Sequence, residues 1–148
     1  EDNADLRLTR ESALDDEHFA LYRRYLQTRH PAGGMDPDDR EACHGFLSSS
    51  WGNTEIVGAP DRNGRLLAGG VMDRVPQGLS AVYTWFEPDE HRRSLGTFMI
   101  LAAIERAHAL GLPWLYLGYW VPGSGTMDYK RGFRPLEVLG ATGWRRAP

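Results

Sequence analysis

A chain of 148 residues with 41% hydrophobic and 11% aromatic content can bury the core of one globular unit. Its net charge of −3 and pI near 5.9 exclude a protein whose whole surface grips nucleic acid, so any such contact is local. The single cysteine, Cys43, excludes an intramolecular disulfide framework and a multi-cysteine metal site, and no stretch approaches the roughly 20 apolar residues that span a bilayer. The expectation is a cytoplasmic protein with no membrane partner, no metal and a structural Cys43.

From Ser12 to Arg29, Leu14, His18, Leu21, Tyr22, Tyr25 and Arg29 recur at the period of one helix face, and Pro31 closes the helix. Asp36 is the expected N-cap of a second helix, with Pro37 at its first position and an end near Leu47. Strands are expected near Glu55–Val57, at Leu66–Asp73 and at Leu79–Phe86, the last two joined as an antiparallel hairpin through RVPQG. After a loop at Ser94–Thr97, an apolar helix runs through Leu110, packs deep against a sheet and stops at Gly111 and Pro113. Trp114–Trp120 reads as a parallel strand completing a βαβ crossover, and a short strand near Leu136–Leu139 ends the chain. There is no internal repeat. Acidic residues crowd the start, whereas Lys130, Arg131, Arg134, Arg145 and Arg146 gather near the end, either as a phosphate-binding patch or as solvated surface.

The run FEPDEHRRSLGTFMIL from Phe86 to Leu101 sets a polar turn between a strand end and a helix N-terminus, where backbone amides can hold an anion. It looks like the substrate cradle of acyltransferases that act on amines. The order of elements resembles the GCN5-related N-acetyltransferase fold, an α/β architecture with a mixed sheet flanked by helices. In that family this loop carries an Arg or Gln and two glycines around the coenzyme A pyrophosphate. His91 and Ser94 replace two of those positions here, which counts against coenzyme A.

Four blocks carry a more specific likeness: YRRYLQTRHP (Tyr22–Pro31), SAVYTWFEPDE (Ser80–Glu90), SLGT (Ser94–Thr97) and YLGYWVPGSGTMDYKRGFRP (Tyr116–Pro135). In this order they closely resemble the C-terminal domain of the arginyl-tRNA and leucyl-tRNA protein transferases, above all the bacterial aspartate/glutamate leucyltransferases, from about Phe19 to Trp144. The resemblance implies transfer of an amino acid, leucine rather than arginine, from aminoacyl-tRNA to the N-terminal Asp or Glu of a protein, marking it for degradation. Aminoacyl-tRNA is then a co-substrate and no cofactor is expected. The family's cysteine-bearing amino-terminal half has no counterpart in this sequence. Residues 1–10 are therefore expected to be a linker or a remnant of that half, and 11–148 an acetyltransferase-like transferase domain that could be incomplete alone. The family's usual SRKMNYK reads SGTMDYK here, losing basic residues and placing Asp128 where asparagine is usual.

Attack of an α-amine on an aminoacyl ester needs a neutral amine, alignment and donors for the developing oxyanion. An α-amine titrates near ~7.7–8.0, so alignment can supply most of the rate. Tyr83 and Thr84 end a strand beside the cradle and are candidate catalytic residues, the Tyr83 phenol facing the ester, while Trp85 and Phe86 are candidate substrate contacts. Plain alternation of core and surface along a strand is the competing reading. Tyr116, Gly118 and Tyr119 either flank the same cleft from the neighbouring strand or pack the core. A planar guanidinium suits the acceptor carboxylate, which nominates Arg29, Arg131 and Arg134, with Lys130 as a point charge and Tyr129 beside it. His30, at a helix end, is a candidate base or a cap. Ser94, Leu95, Gly96 and Thr97 either receive the donor tRNA's terminal adenosine or its phosphate, or simply cap the helix. The five late basic residues would track the acceptor stem. Two other classes stay open: an acetyl-coenzyme A dependent N-acetyltransferase, and an inactive domain that binds acidic N-termini.

Overall fold

The chain divides into two units, residues 1–116 and 117–148, and the computed structural model describes residues 3–31, 33–49 and 52–147. Glu1 and Asp2, part of the acidic opening, lie outside the described residues. The first unit carries one sheet in the order β1 (Thr9–Glu11), β2 (Asn53–Pro60), β3 (Leu66–Val75), β4 (Gly78–Phe86) and β5 (Trp114–Tyr116). Helices α1 (Asp16–Arg29) and α2 (Arg40–Leu47) build a core on one face, and α3 (Leu95–Ala109) builds the other. The first four strands pair antiparallel; β5, reached through α3, pairs parallel with β4. This is the expected mixed α/β sheet with its crossover.

Caps decide the helix starts. Asp15 accepts from the His18 N–H at 2.9 Å, so α1 begins at Asp16 rather than at Ser12. Asp39, not Asp36, caps α2 by accepting from Ala42 N–H at 2.8 Å. Asp36 instead accepts from Asp38 N–H and shapes the turn before the helix. Thr9–Glu11 form β1, a strand whose three residues escape periodicity, and Leu6 before it joins the core.

Strand β4 changes face partway. Leu79 packs with α3, and strict alternation would send Tyr83 to the same side. The register instead skips Val82, which has no partner on β3, and this bulge turns Tyr83 and Trp85 toward α1 and α2. Trp85 is fully buried there, edge-on to His18 and Tyr22 at 5.7 and 5.9 Å between ring centroids. Gly69 on β3 makes the room, since a Cβ at that position would lie 2.6 Å from the indole.

Strand β5 stops at Tyr116 instead of reaching Trp120, and it pairs with β4 only over Gly78–Ser80. Beyond Ser80, that edge of β4 has no strand partner among the described residues. Helix α3 buries Leu95, Met99, Ile100, Ala102, Ala103 and Ala107, but Leu101 and Ile104 stay exposed, so it is less deeply covered than its composition suggests. In the second unit, β6 (Glu137–Gly140) falls close to the expected last strand and pairs with β7 (Gly143–Arg146) in a hairpin.

Candidate functional site

The far end of β4 is held in place by Glu87. Its backbone N–H donates to the Leu67 carbonyl at 2.9 Å, and its buried carboxylate accepts from Arg24 and Arg65, both at 3.0 Å. Phe86, one residue earlier, gathers the surroundings. The Tyr25 ring lies 4.9 Å from it, and the Arg29 guanidinium lies 5.7 Å from its centroid in a cation–π contact. Tyr25 also meets the ring of His30 at 5.7 Å. On the other side a Cβ at Gly96 would approach Phe86 to 3.2 Å, so a glycine lets the first turn of α3 lie against this ring.

Three elements thus converge at Phe86: the end of β4, the C-terminal end of α1 and the N-terminal end of α3. Ser94, just before α3, adopts φ 48°, the only positive value among the described non-glycine residues, and its side chain makes no capping bond. A serine here holds the left-handed backbone that a glycine adopts readily. Helix geometry leaves the N–H groups of Leu95, Gly96 and Thr97 without intrahelical partners, at the positive end of the helix dipole. His30 also lines a cleft of about 180 Å³ with Leu26, Gln27, Pro31, Met35 and Pro37.

The structure therefore brings Arg29, His30, Phe86, Ser94, Gly96 and Thr97 together, and it rearranges other expected residues. Leu95, Gly96 and Thr97 are the first helical turn rather than a loop, and the Leu95 side chain is core. Trp85, expected at the substrate, is sealed beneath the sheet face. The Tyr83 hydroxyl has neither exposed surface nor a partner among the described residues; Tyr22, Tyr25 and Phe46 surround its ring. Burial pushes this phenol far above its ordinary range, and the hydroxyl expected to face the ester lies among packed rings instead. Thr84 lies on the α3 side of β4, near Gly70 and Met99. Tyr116 pairs opposite Ser80, roughly 20 Å along the strand from Phe86 by strand rise. Cys43 is buried, and desolvation lifts its thiol to about 11, in keeping with a structural residue.

Gly118 and Tyr119 belong to the second unit and lie on no strand. Lys130, expected as a point charge for the acceptor carboxylate, is buried: its Nζ donates to the Tyr119 carbonyl, and desolvation lowers its pKa. Tyr129 lies beside it, 5.9 Å from the ammonium. Asp128 accepts from Trp120 Nε1 at 3.2 Å, which gives the aspartate a structural task, and Arg131 lies 5.8 Å from the Trp120 ring. Arg134 donates to the carbonyls of Arg131 and Phe133 at 2.7 and 3.1 Å. Reading by motif missed Tyr25 and Glu87; both sit inside quoted blocks, but only packing shows that Tyr25 links His30 to Phe86 and that Glu87 anchors the strand end.

The fold matches solved N-acetyltransferases. The ribosomal-protein-S18-alanine N-acetyltransferase of Escherichia coli superposes with a TM-score of 0.64 at 13% identity, covering 95% of this chain and 88% of that one. An aminoglycoside acetyltransferase from an uncultured soil metagenomic sample gives 0.61 at 16% identity, with 91% of each chain covered. In sequence, the aspartate/glutamate leucyltransferase of Nitrosococcus oceani is 48% identical over 128 residues, 86% of this chain and 54% of that protein. The protein of the same name from Parvibaculum lavamentivorans is 47% identical over 147 residues, 99% of this chain and 61% of its own length. The chain thus spans little more than half the length of these relatives. The family described as arginine-tRNA-protein transferase, C terminus, matches residues 17–140. By that match and by these identities, the chain belongs to the arginine-tRNA-protein transferase C-terminal family.

Proposed function

We propose that this chain is the acyl-transfer portion of a cytoplasmic enzyme that moves leucine from leucyl-tRNA onto the N-terminal Asp or Glu of an acceptor protein. The observation that carries the reading is the edge of β4 beyond Ser80, which no strand pairs among the described residues and which ends at Phe86, where Arg29 and the uncapped start of α3 converge. The relatives' names give leucine, aspartate and glutamate, and the family's description gives a tRNA and a protein. In this reading the acceptor's α-amine nitrogen attacks the ester carbonyl carbon, and the bond to the ribose oxygen breaks. The amine's proton passes to solvent or His30, and the leaving oxygen regains one. Backbone N–H groups on the open edge of β4 donate to the oxyanion, and Arg29 takes the acceptor carboxylate.

Acetyl-coenzyme A fits less well. Of the basic pair in the loop, Arg93 is turned away: its guanidinium donates to Asn3 and Asp5, and its carbonyl accepts from Asn3 at 2.7 Å. A pyrophosphate would lose that cation.

The test supplies labelled leucyl-tRNA or arginyl-tRNA with peptides beginning in Asp, Glu or Ala. It is run on this chain alone and on this chain joined to the part of the Nitrosococcus oceani relative that it does not match. Leucine on the Asp and Glu peptides only is the expected result. Arg29→Ala should reduce the preference for Asp over Ala about 10- to 100-fold, the worth of one charge-assisted hydrogen bond. Acetyl transfer from acetyl-coenzyme A with no aminoacyl transfer by either chain would reject the reading.

A further inference from the structure

Charge is divided unevenly between the two units. Residues 117–148 carry five lysines and arginines against two acids, a formal +3, while residues 1–116 carry twelve against eighteen, −6. None of Arg131, Arg145 and Arg146 has a carboxylate at ion-pairing distance among the described residues. The second unit also exposes large apolar side chains: Tyr119 is 90% exposed, Leu139 65%, Trp144 57% and Tyr129 51%.

The hairpin arranges part of this surface. Leu139 lies directly opposite Trp144, and Glu137 opposite Arg146, so both pairs share one face of the ribbon. Arg145, opposite Val138, points to the reverse face. Flat rings and guanidiniums without a carboxylate in one short unit match a polyanion that presents a ring with every charge. In a duplex the base faces are already stacked, leaving Tyr119 and Trp144 nothing to cover; a single strand offers both phosphate and base face.

We propose that the second unit is a stacking platform for single-stranded RNA, with bases laid on Tyr119 and Trp144 and phosphates met by Arg131, Arg145 and Arg146. The inference rests on the reading that the donor is a tRNA, and it assigns this unit the donor's unpaired 3′ end rather than its duplex stem. The formal charge of −6 on the first unit and +3 on the second favours the second for the phosphates of the strand, while the ester at its terminal ribose reacts at the end of β4.

The test uses the intact chain and fluorescence anisotropy of a labelled short single-stranded RNA ending in CCA, beside a duplex of equal length. The single strand should bind more tightly than the duplex. Trp144→Ala and Tyr119→Ala should each weaken binding of the strand about tenfold, and Trp144→Phe should keep most of it. Because Tyr119 is almost wholly exposed, its substitution reports even if Trp144→Ala disturbs the hairpin. Replacing Arg145 and Arg146 by Ala together should flatten the plot of log affinity against log salt by about 0.7 for each phosphate they no longer neutralise. Equal or tighter duplex binding, or strand binding that ignores both aromatic substitutions, overturns the proposal. Leucine transfer without any strand binding overturns it as well and leaves the transferase reading standing. Strand binding as expected, with no aminoacyl transfer by this chain or by the joined chain, supports the platform and counts against the transferase.

Discussion

In residues 3–116 at least seven arginines meet a carboxylate, among them Arg24 and Arg65 on Glu87, Arg106 on Glu55 and Arg93 on Asp5. In residues 117–147, Arg131, Arg145 and Arg146 meet none among the described residues. The first set ties elements to one another: Glu87 holds the end of β4 through α1 and the start of β3, and Glu55 holds β2 to α3. The second set meets no carboxylate among the described residues, and its one ring contact there is that of Arg131 with Trp120. A guanidinium already answered by a carboxylate has little left for a substrate, whereas an unanswered one keeps its donors. By that criterion Arg29, which meets the face of Phe86 and no carboxylate among the described residues, belongs with the arginines of the second unit although it lies in the first.

If the first unit is held by its buried core and these inner pairs, the largest loss should come from Trp85→Ala. Trp85 is fully buried against His18, Tyr22 and Gly69, and truncating such a residue leaves a cavity costing about 3–5 kcal/mol. Urea denaturation followed by circular dichroism measures it, and a loss below about 1 kcal/mol would break the contrast at its strong end. Next comes Arg106→Ala. Arg106 donates twice to Glu55, at 3.0 and 3.1 Å, and that hydrogen bonding holds the carboxyl below its usual range against desolvation. Leaving the half-buried Glu55 with only the longer contact to Arg10, at 3.8 Å, should cost about 1–3 kcal/mol by the same measurement.

The architecture of the first unit was largely legible. Helix periodicity, the RVPQG hairpin and the Gly111–Pro113 stop all act within a few residues, so the sequence displays them. Strand β1 escaped because Thr9–Glu11 is stabilised by register with Gly58, Val57 and Ile56, which lie far along the chain. The strand expected through Trp120 ends at Tyr116 because aromatic β-propensity alone does not supply a partner for the next residues. At the candidate site, the grouping of Arg29, His30, Phe86 and the first turn of α3 was foreshadowed by motif blocks and helix ends. The burial of Tyr83, Trp85 and Lys130 was not. For Tyr83 and Trp85 it depends on the bulge at Val82, which reverses the facing of the strand with no local residue to announce it. For Lys130 it depends on the Tyr119 carbonyl, eleven residues away in the chain.

The inner pairs and the core also imply a dependence on acidity that the second unit should not share. His18 is buried beside Trp85, and desolvation lowers its pKa despite the nearby carboxylates of Asp15, Glu11 and Glu17. The unfolded chain therefore binds a proton at higher pH than the folded one. Stability from this group is complete above the unfolded value of about 6.5 and is lost as pH falls below it toward the folded pKa. Thermal melts between neutral pH and pH 5 should show the decline, above the range in which carboxylates such as Glu55 titrate, and His18→Gln should flatten it. An equal slope in the variant would assign the decline to other groups.

The smallest expected effect is the one that separates the two units most cleanly. Arg145→Ala removes a side chain that is exposed and has no carboxylate to release, so the change in unfolding free energy should stay within about 0.5 kcal/mol. Arg106→Ala is the same chemical change made where the guanidinium is three-quarters covered and doubly bonded. Side-by-side urea titrations decide between two accounts of the second unit. If Arg145→Ala costs as much as Arg106→Ala, its charge serves the hairpin and is spent inside the fold. If it costs nothing while weakening RNA binding at low salt and losing that effect at high salt, its charge is held for a ligand outside the fold.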